Sequence, residues 1–201
     1  MQSGIFHSRH LAHKIICALI LFFVISTAAL KAQRFEGGAL AGLSTGQIDG
    51  DNSSGYERVD FILGGWVALP FKNNLSLRAE MAYIGKGSRI VQDNVYEKRT
   101  VLRYIEFPFL IQYRFWQDFT ASVGPAPAFL FFSRMEENGT ELPNTPYDNF
   151  NRFDIAGMAD IGYFITENLQ VSIRMSYSLL PFRTDKTPYW YNNILSYTLS
   201  Y

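Results

Sequence analysis

The sequence predicts an all-β protein: an eight-stranded antiparallel transmembrane β-barrel with short periplasmic turns and longer extracellular loops. Three observations predict it. Apolar and polar residues alternate with period two through one segment after another. The connections between those segments alternate strictly between short and long. The chain opens with an export-type segment, after which no apolar run reaches the roughly 20 residues that a spanning helix needs.

The export segment comes first. Arg9 and Lys14 precede an apolar stretch over 15–30, and Ala28, Ala29 and Ala32 supply small residues for cleavage. This order predicts a secretory signal over 1–32, cut after Ala32, with the barrel domain at 33–201. The competing reading is an anchor helix, for which the stretch is short. Cys17 follows Ile15 and Ile16, so it lacks the small residues that precede a lipidated cysteine. The signal holds this single Cys and all three histidines, His7, His10 and His13. From Gln33 onward there is then no disulfide, thiol nucleophile or imidazole base. Loss of Arg9, Lys14 and Lys31 leaves fifteen basic against eighteen acidic side chains, a net charge of −3. That balance argues against a nucleic-acid partner.

Eight strands follow. The first, over 35–43, is rich in small residues (Gly37, Gly38, Gly42), and the second, over 60–69, is largely apolar. Over 75–83, Leu75, Leu77, Ala79, Met81 and Tyr83 alternate with Ser76, Arg78, Glu80 and Ala82. Over 104–113, Ile105, Phe107, Phe109, Ile111 and Tyr113 alternate with Tyr104, Glu106, Pro108, Leu110 and Gln112. The strand over 119–132 carries Pro125 and Pro127. Two residues apart, they lack N–H donors toward the same neighbour, which predicts a bulge or break in one ladder with the other intact. The strand over 153–163 sets Phe153, Ile155, Ala159 and Ile161 against Asp154 and Asp160. Over 169–179 the alternation has no exception, and Leu195, Tyr197, Leu199 and Tyr201 repeat it against Ser196, Thr198 and Ser200. Tight turns are expected at 70–74, 115–118 and 165–168, and loops at 44–57, 86–98, 133–151 and 182–190. Both ends of the barrel then face the periplasm.

Aromatic residues make up 16% of the chain and gather at strand ends. Phe71, Phe115, Trp116, Phe119, Phe164 and Tyr201 lie near the tight turns. Tyr83, Phe131, Phe132, Tyr177, Tyr189, Trp190 and Tyr191 lie near the loops. Two belts at two membrane interfaces account for them. A soluble barrel would instead bury aromatics at mid-strand, where this sequence places charges. The closing Tyr201, on one face with Leu199 and Tyr197, has the form of a signal read by the barrel-insertion machinery.

The mid-strand charges are the candidate site. Arg78, Glu80, Glu106, Asp154, Asp160 and Arg174 all fall on the polar, lumen-facing phase. Eight strands leave an interior that side chains can fill, so a charge there must be paired or hydrated. Two readings remain open: a salt-bridged plug, or a narrow path for ions or small solutes. Asp160 lies five residues before Ile165 and Arg174 six after Asn168, so the turn between them makes these two neighbours. Glu80, at a similar height, can reach Arg174 or pair with Arg78.

Other chemistries find little support. Glu80 and Glu106 as a glycosidase pair would need a sugar-sized cleft. In the first loop Asp49, Asp51, Ser53 and Gly55, with Asp60 beyond, suggest calcium, but Ser54 stands where an EF-hand needs glycine and an Asx-rich turn explains them as well. Gly85-Lys86-Gly87-Ser88 is too short for a phosphate loop and reads as a strand exit. The expectation is no enzyme and no cofactor. The expected partners are outer-membrane lipid and the barrel-insertion machinery.

The segment Tyr104-Ile105-Glu106-Phe107-Pro108-Phe109-Leu110 follows Glu80-Met81-Ala82-Tyr83-Ile84-Gly85-Lys86-Gly87. Together with Ala-Gly-Leu at 41–43, Val-Gly-Pro at 123–125 and the closing Leu-Ser-Tyr, these resemble the PorT-like outer-membrane β-barrel proteins of Bacteroidetes. Pro127 departs from that pattern. The resemblance implies a bacterial outer-membrane location and an interaction scaffold. It also implies secretion-system proteins as partners and an accessory role in protein secretion, since the family's namesake is linked to that process.

Overall fold

The computed structural model describes residues 35–51, 55–72, 74–92, 96–142, 150–184 and 188–201. The expected signal over 1–32, and Ser53 and Ser54 of the first loop, lie outside these residues. The strands are β1 (Glu36–Asp49), β2 (Arg58–Pro70), β3 (Leu75–Gln92), β4 (Tyr96–Glu106), β5 (Phe109–Phe115), β6 (Phe119–Glu137), β7 (Thr140–Glu141), β8 (Phe153–Phe164), β9 (Gln170–Ser178) and β10 (Tyr191–Ser200). All pair antiparallel in one sheet, and β1 pairs with both β2 and β10, which closes it into a barrel.

The wall has eight staves, because β4 and β5 are one. Both pair with β3 in a single register, Ala82↔Glu106 and Ala79↔Phe109. Both pair with β6 in a single register too, Glu106↔Ala128 and Ile111↔Val123. The stave is only interrupted, at Phe107 and Pro108, and β7 is a short return off β6. Prolines explain the interruption. The Phe107 N–H donates to Pro127 O at 2.8 Å and the Glu80 N–H to Pro108 O at 2.9 Å, while proline nitrogens have nothing to return. On its other side β6 pairs with β8 without a gap from Phe119↔Tyr163 to Phe129↔Phe153. One ladder is therefore broken and the other intact, as the spacing of Pro125 and Pro127 predicts. The bulge lies elsewhere: the register slips between Arg103 and Tyr104, which face Phe132 and Leu130.

The staves run further at the extracellular end than the sequence suggests. The expected loop at 86–98 is largely paired strand, from Lys86↔Leu102 to Gln92↔Tyr96. The segment 85–88 is therefore not a strand exit but lies inside β3. β1 continues to Asp49, β6 to Glu137, and β10 begins at Tyr191. Above the lipid the outer face of a strand meets water, so the alternation that marks a strand in the membrane is no longer required there.

β2 and β3 part company above Ile62↔Ile84. The upper part of β3 leans across β1, where Ser44 Oγ donates to Gly85 O at 2.8 Å. A Cβ on Gly46 would sit 2.5 Å from Gly87 O, so the crossing depends on glycine there. An apolar cluster fills this end of the lumen. Ile48, Leu102, Met135, Phe150, Phe182, Trp190 and Ile194 are all buried in it. Trp190, expected in the outer aromatic belt, is only 5% exposed and packs edge-on against Phe182 at 6.1 Å between ring centres.

The outer wall is apolar. Leu43, Leu63, Met81, Ile111, Val123, Ile161, Ile173 and Leu199 are exposed at successive outward positions. In water so large a patch would drive association; a bilayer matches it. Phe71, Trp116, Phe119 and Tyr201 are exposed at the turn end, and Tyr177 and Tyr189 toward the loops.

Candidate functional site

Two ionic clusters occupy the lumen at different heights. The first is set by the β8–β9 hairpin, whose register makes Asp160 and Arg174 direct partners. Arg174 Nη2 lies 2.9 Å from Asp160 Oδ2. The same guanidinium reaches across the lumen to Glu80 on β3, with Nη1–Oε2 at 2.7 Å and Nη2–Oε1 at 2.9 Å. Arg78 Nε donates to Glu80 Oε1 at 2.7 Å, and its other nitrogens reach Gln170 and Ser200. The Arg78 guanidinium lies 4.5 Å over the Trp66 ring. Two cations face two carboxylates here, and all four are buried. Such a cluster survives at this burial because the fork-like pairing of arginine with carboxylate offsets the cost of desolvation.

Glu106 and Asp154 do not join it. Asp154 stands six residues from Asp160 along β8, roughly 20 Å at strand spacing. Their cation is Lys86, which the sequence reading assigns to a loop. Lys86 Nζ is 2.7 Å from Glu106 Oε1 and 3.8 Å from Asp154 Oδ2, with its side chain fully buried. Ser178 Oγ donates to Asp154 Oδ2 at 2.7 Å, and Asn192 Nδ2 donates to it at 3.3 Å. Tyr104 lies under the ammonium, 4.8 Å from ring centre to nitrogen. One signal could have found Lys86: it continues the even phase of Arg78 and Glu80. The two segments that carry the family resemblance meet in this contact, one supplying Lys86 and the other Glu106.

The loop acids engage separately. Asp49 Oδ1 accepts from Gln47 at 3.0 Å, Asp51 Oδ2 from Ser88 at 2.6 Å, and Asp60 pairs with Arg58 at 2.5 Å. They converge on no common point, and the described residues contain no acid or histidine cluster suited to a metal. At the closing strand, Tyr197 and Leu199 face outward, and the backbone of Tyr201 exchanges two hydrogen bonds with Ala39, both 2.9 Å.

The fold is similar to that of several solved structures. Neisserial surface protein A shares 11% identity with a TM-score of 0.54, over 83% of this chain and 97% of that one. Ail, the attachment invasion locus protein of Yersinia pestis, shares 10% identity with a TM-score of 0.46, over 82% of this chain and 96% of that one. The outer membrane protein OprG from Pseudomonas aeruginosa shares 11% identity with a TM-score of 0.36, over 83% and 90%. No curated protein matches the sequence. The closed barrel, its apolar outer wall and its ionic lumen agree with the family match over residues 28–182: the chain belongs to the outer membrane protein beta-barrel domain family and resides in the outer membrane.

Proposed function

We propose that this protein is a sealed, non-enzymatic scaffold of the outer membrane that presents its extracellular strands and loops to partner proteins. One observation carries this reading: the lumen is occupied along its height, by two ionic clusters and then by the apolar cluster around Leu102, Phe182 and Trp190. A pore would need a continuous hydrated path, and apolar side chains at full burial offer none. The experiment is conductance in planar bilayers. The scaffold reading expects no steps above leak, and steady single-channel currents would replace it with the pore reading.

The finer version places the protein among PorT-like barrels, in service of protein secretion. Cross-linking in outer membranes followed by mass spectrometry tests it. Recovery of secretion-system proteins with the intact barrel is the expected result. The signal over 1–32 belongs to the same reading, and the intact mass of the membrane-extracted protein checks cleavage after Ala32.

A further inference from the structure

The extracellular extension of β3, β4 and β6 carries a concentration of arginines on its outward face. Across the ladder Arg89 pairs with Arg99, Arg99 with Glu136, Val101 with Arg134, and Arg103 with Phe132. Directly below lies the aromatic girdle: Phe61 stacks on Tyr83 at 4.8 Å, and Tyr83 meets Phe131 at 6.0 Å. The Arg103 guanidinium sits 4.7 Å over the Phe132 ring and, among the described residues, within ion-pair distance of no carboxylate. The wedge between β2 and β3 adds Arg58. Glycines make room for it: a Cβ on Gly85 would overlap the Asp60 carboxylate, and one on Gly87 would lie 3.3 Å from Arg58 Cδ. Acids offset part of this charge. Arg58 pairs with Asp60, Arg89 with Glu97, and both Arg99 and Arg134 with Glu136. Five guanidinium groups thus meet three carboxylates.

Three details set this face apart from an ordinary solvated one. Arg89 and Arg99 stand directly opposite as like charges, and the acid beside Arg99, Glu136, is shared with Arg134. The Nε atoms of Arg58, Arg99 and Arg134 are all buried with no acceptor. Val101 shares its face of β4 with Arg99 and Arg103, stands opposite Arg134, and is only 5% exposed.

We propose that Arg99, Arg103 and Arg134 form a binding site for the phosphate of an outer-leaflet glycolipid, seated just above the aromatic girdle. The depth fits: aromatic rings mark where acyl chains give way to headgroups, and the arginines begin one row further out. The chemistry fits as well, since planar guanidinium groups bind phosphate oxygens in pairs and cationic clusters at this level attract anionic headgroups. An acyl chain lying against the wall below would hold the headgroup in register, which a free ion lacks.

The test is retention of monophosphoryl lipid A by the full barrel, folded in phosphatidylcholine nanodiscs and measured by native mass spectrometry. Wild type is expected to retain this lipid in preference to the same lipid with its phosphate removed. Arg103→Gln should lower retention several-fold, and the triple change Arg99→Gln, Arg103→Gln, Arg134→Gln by about tenfold or more. Heat-modifiable gel mobility checks that each variant is folded. Should the triple variant fail to fold, Arg103→Gln decides alone, because its side chain has no acid to strand. Equal retention with and without the phosphate, or by wild type and Arg103→Gln, overturns the proposal. Displacement by millimolar inorganic phosphate would make the site one for the free ion and also overturns it. Selective capture of an acidic protein with no lipid retention would reassign the face to a protein partner.

Discussion

Replacing Arg174 by alanine should destabilise the barrel more than replacing Asp160, although each change removes one side of the same ion pair. Arg174 makes the larger set of contacts, at 2.7 and 2.9 Å to Glu80 and 2.9 Å to Asp160. Without it, Glu80 still has Arg78 at 2.7 Å, but no other cation pairs with Asp160 among the described residues. A buried carboxylate left without its cation costs about 3–5 kcal/mol. Without Asp160, Arg174 keeps both contacts to Glu80, and the loss is that of a charged hydrogen bond, about 1.5–3 kcal/mol. The expected gap is therefore about 1–2 kcal/mol. Reversible urea titration in lipid vesicles, with intrinsic fluorescence as the probe, measures both variants against wild type. If Asp160→Ala cost as much as Arg174→Ala, the distribution of contacts drawn here would be wrong. If both stayed within about 0.5 kcal/mol of wild type, the cluster would be hydrated.

Lys86→Met should be at least as damaging as Arg174→Ala, because Glu106 and Asp154 both lose their ammonium and no second ion pair to either is found among the described residues; the same titration reads it, and a small effect would contradict a tightly paired upper cluster. Pro127→Ala returns an N–H toward the Phe107 carbonyl, whose partner bond at 2.8 Å already exists, and should stabilise by about 1 kcal/mol. An unchanged or lower urea midpoint would show that carbonyl to be satisfied otherwise. Deleting Tyr201 removes two backbone hydrogen bonds to Ala39 and the closing aromatic, and should sharply lower the heat-modifiable fraction in outer membranes. Normal folded yield of the truncated chain would remove Tyr201 from any role in assembly.

The parts of the barrel that lie in lipid are legible in the sequence because the membrane enforces period two on both faces of the wall. Leu169 to Leu179 could be oriented residue by residue for that reason. The hairpin also makes Asp160 and Arg174 countable from their shared turn, since register is local there. Lys86 escapes the same treatment. It stands between two glycines in a polar run, and its even phase with Arg78 and Glu80 is the one local sign that β3 continues. Its partners come from strands 20 and 68 positions away, at Glu106 and Asp154. The apolar cluster is harder still. Phe150, Phe182 and Trp190 sit in segments without periodicity, and only the closed barrel brings them to Ile48 and Leu102. Aromatics near strand ends suggest a belt, and Trp190 shows that a ring at such a position can equally turn inward.

Pro125 and Pro127 also bear on how the chain reaches this form. Before the barrel closes, β6 is a long strand with two edges, and an exposed edge accepts any partner that offers donors and acceptors in step. Through Gly124 to Ala128 its two edges are unequal: one has a complete set of donors and is matched by β8, while the other lacks two. A stray segment can zip along the complete edge only, and β8 follows β6 in the chain and is positioned to occupy it first. The incomplete edge is left for the stave that carries a proline of its own at Pro108, opposite Ala126 in the common register. The ladder gaps that weaken the finished wall thus also limit how well a wrong segment can pair along that edge of β6.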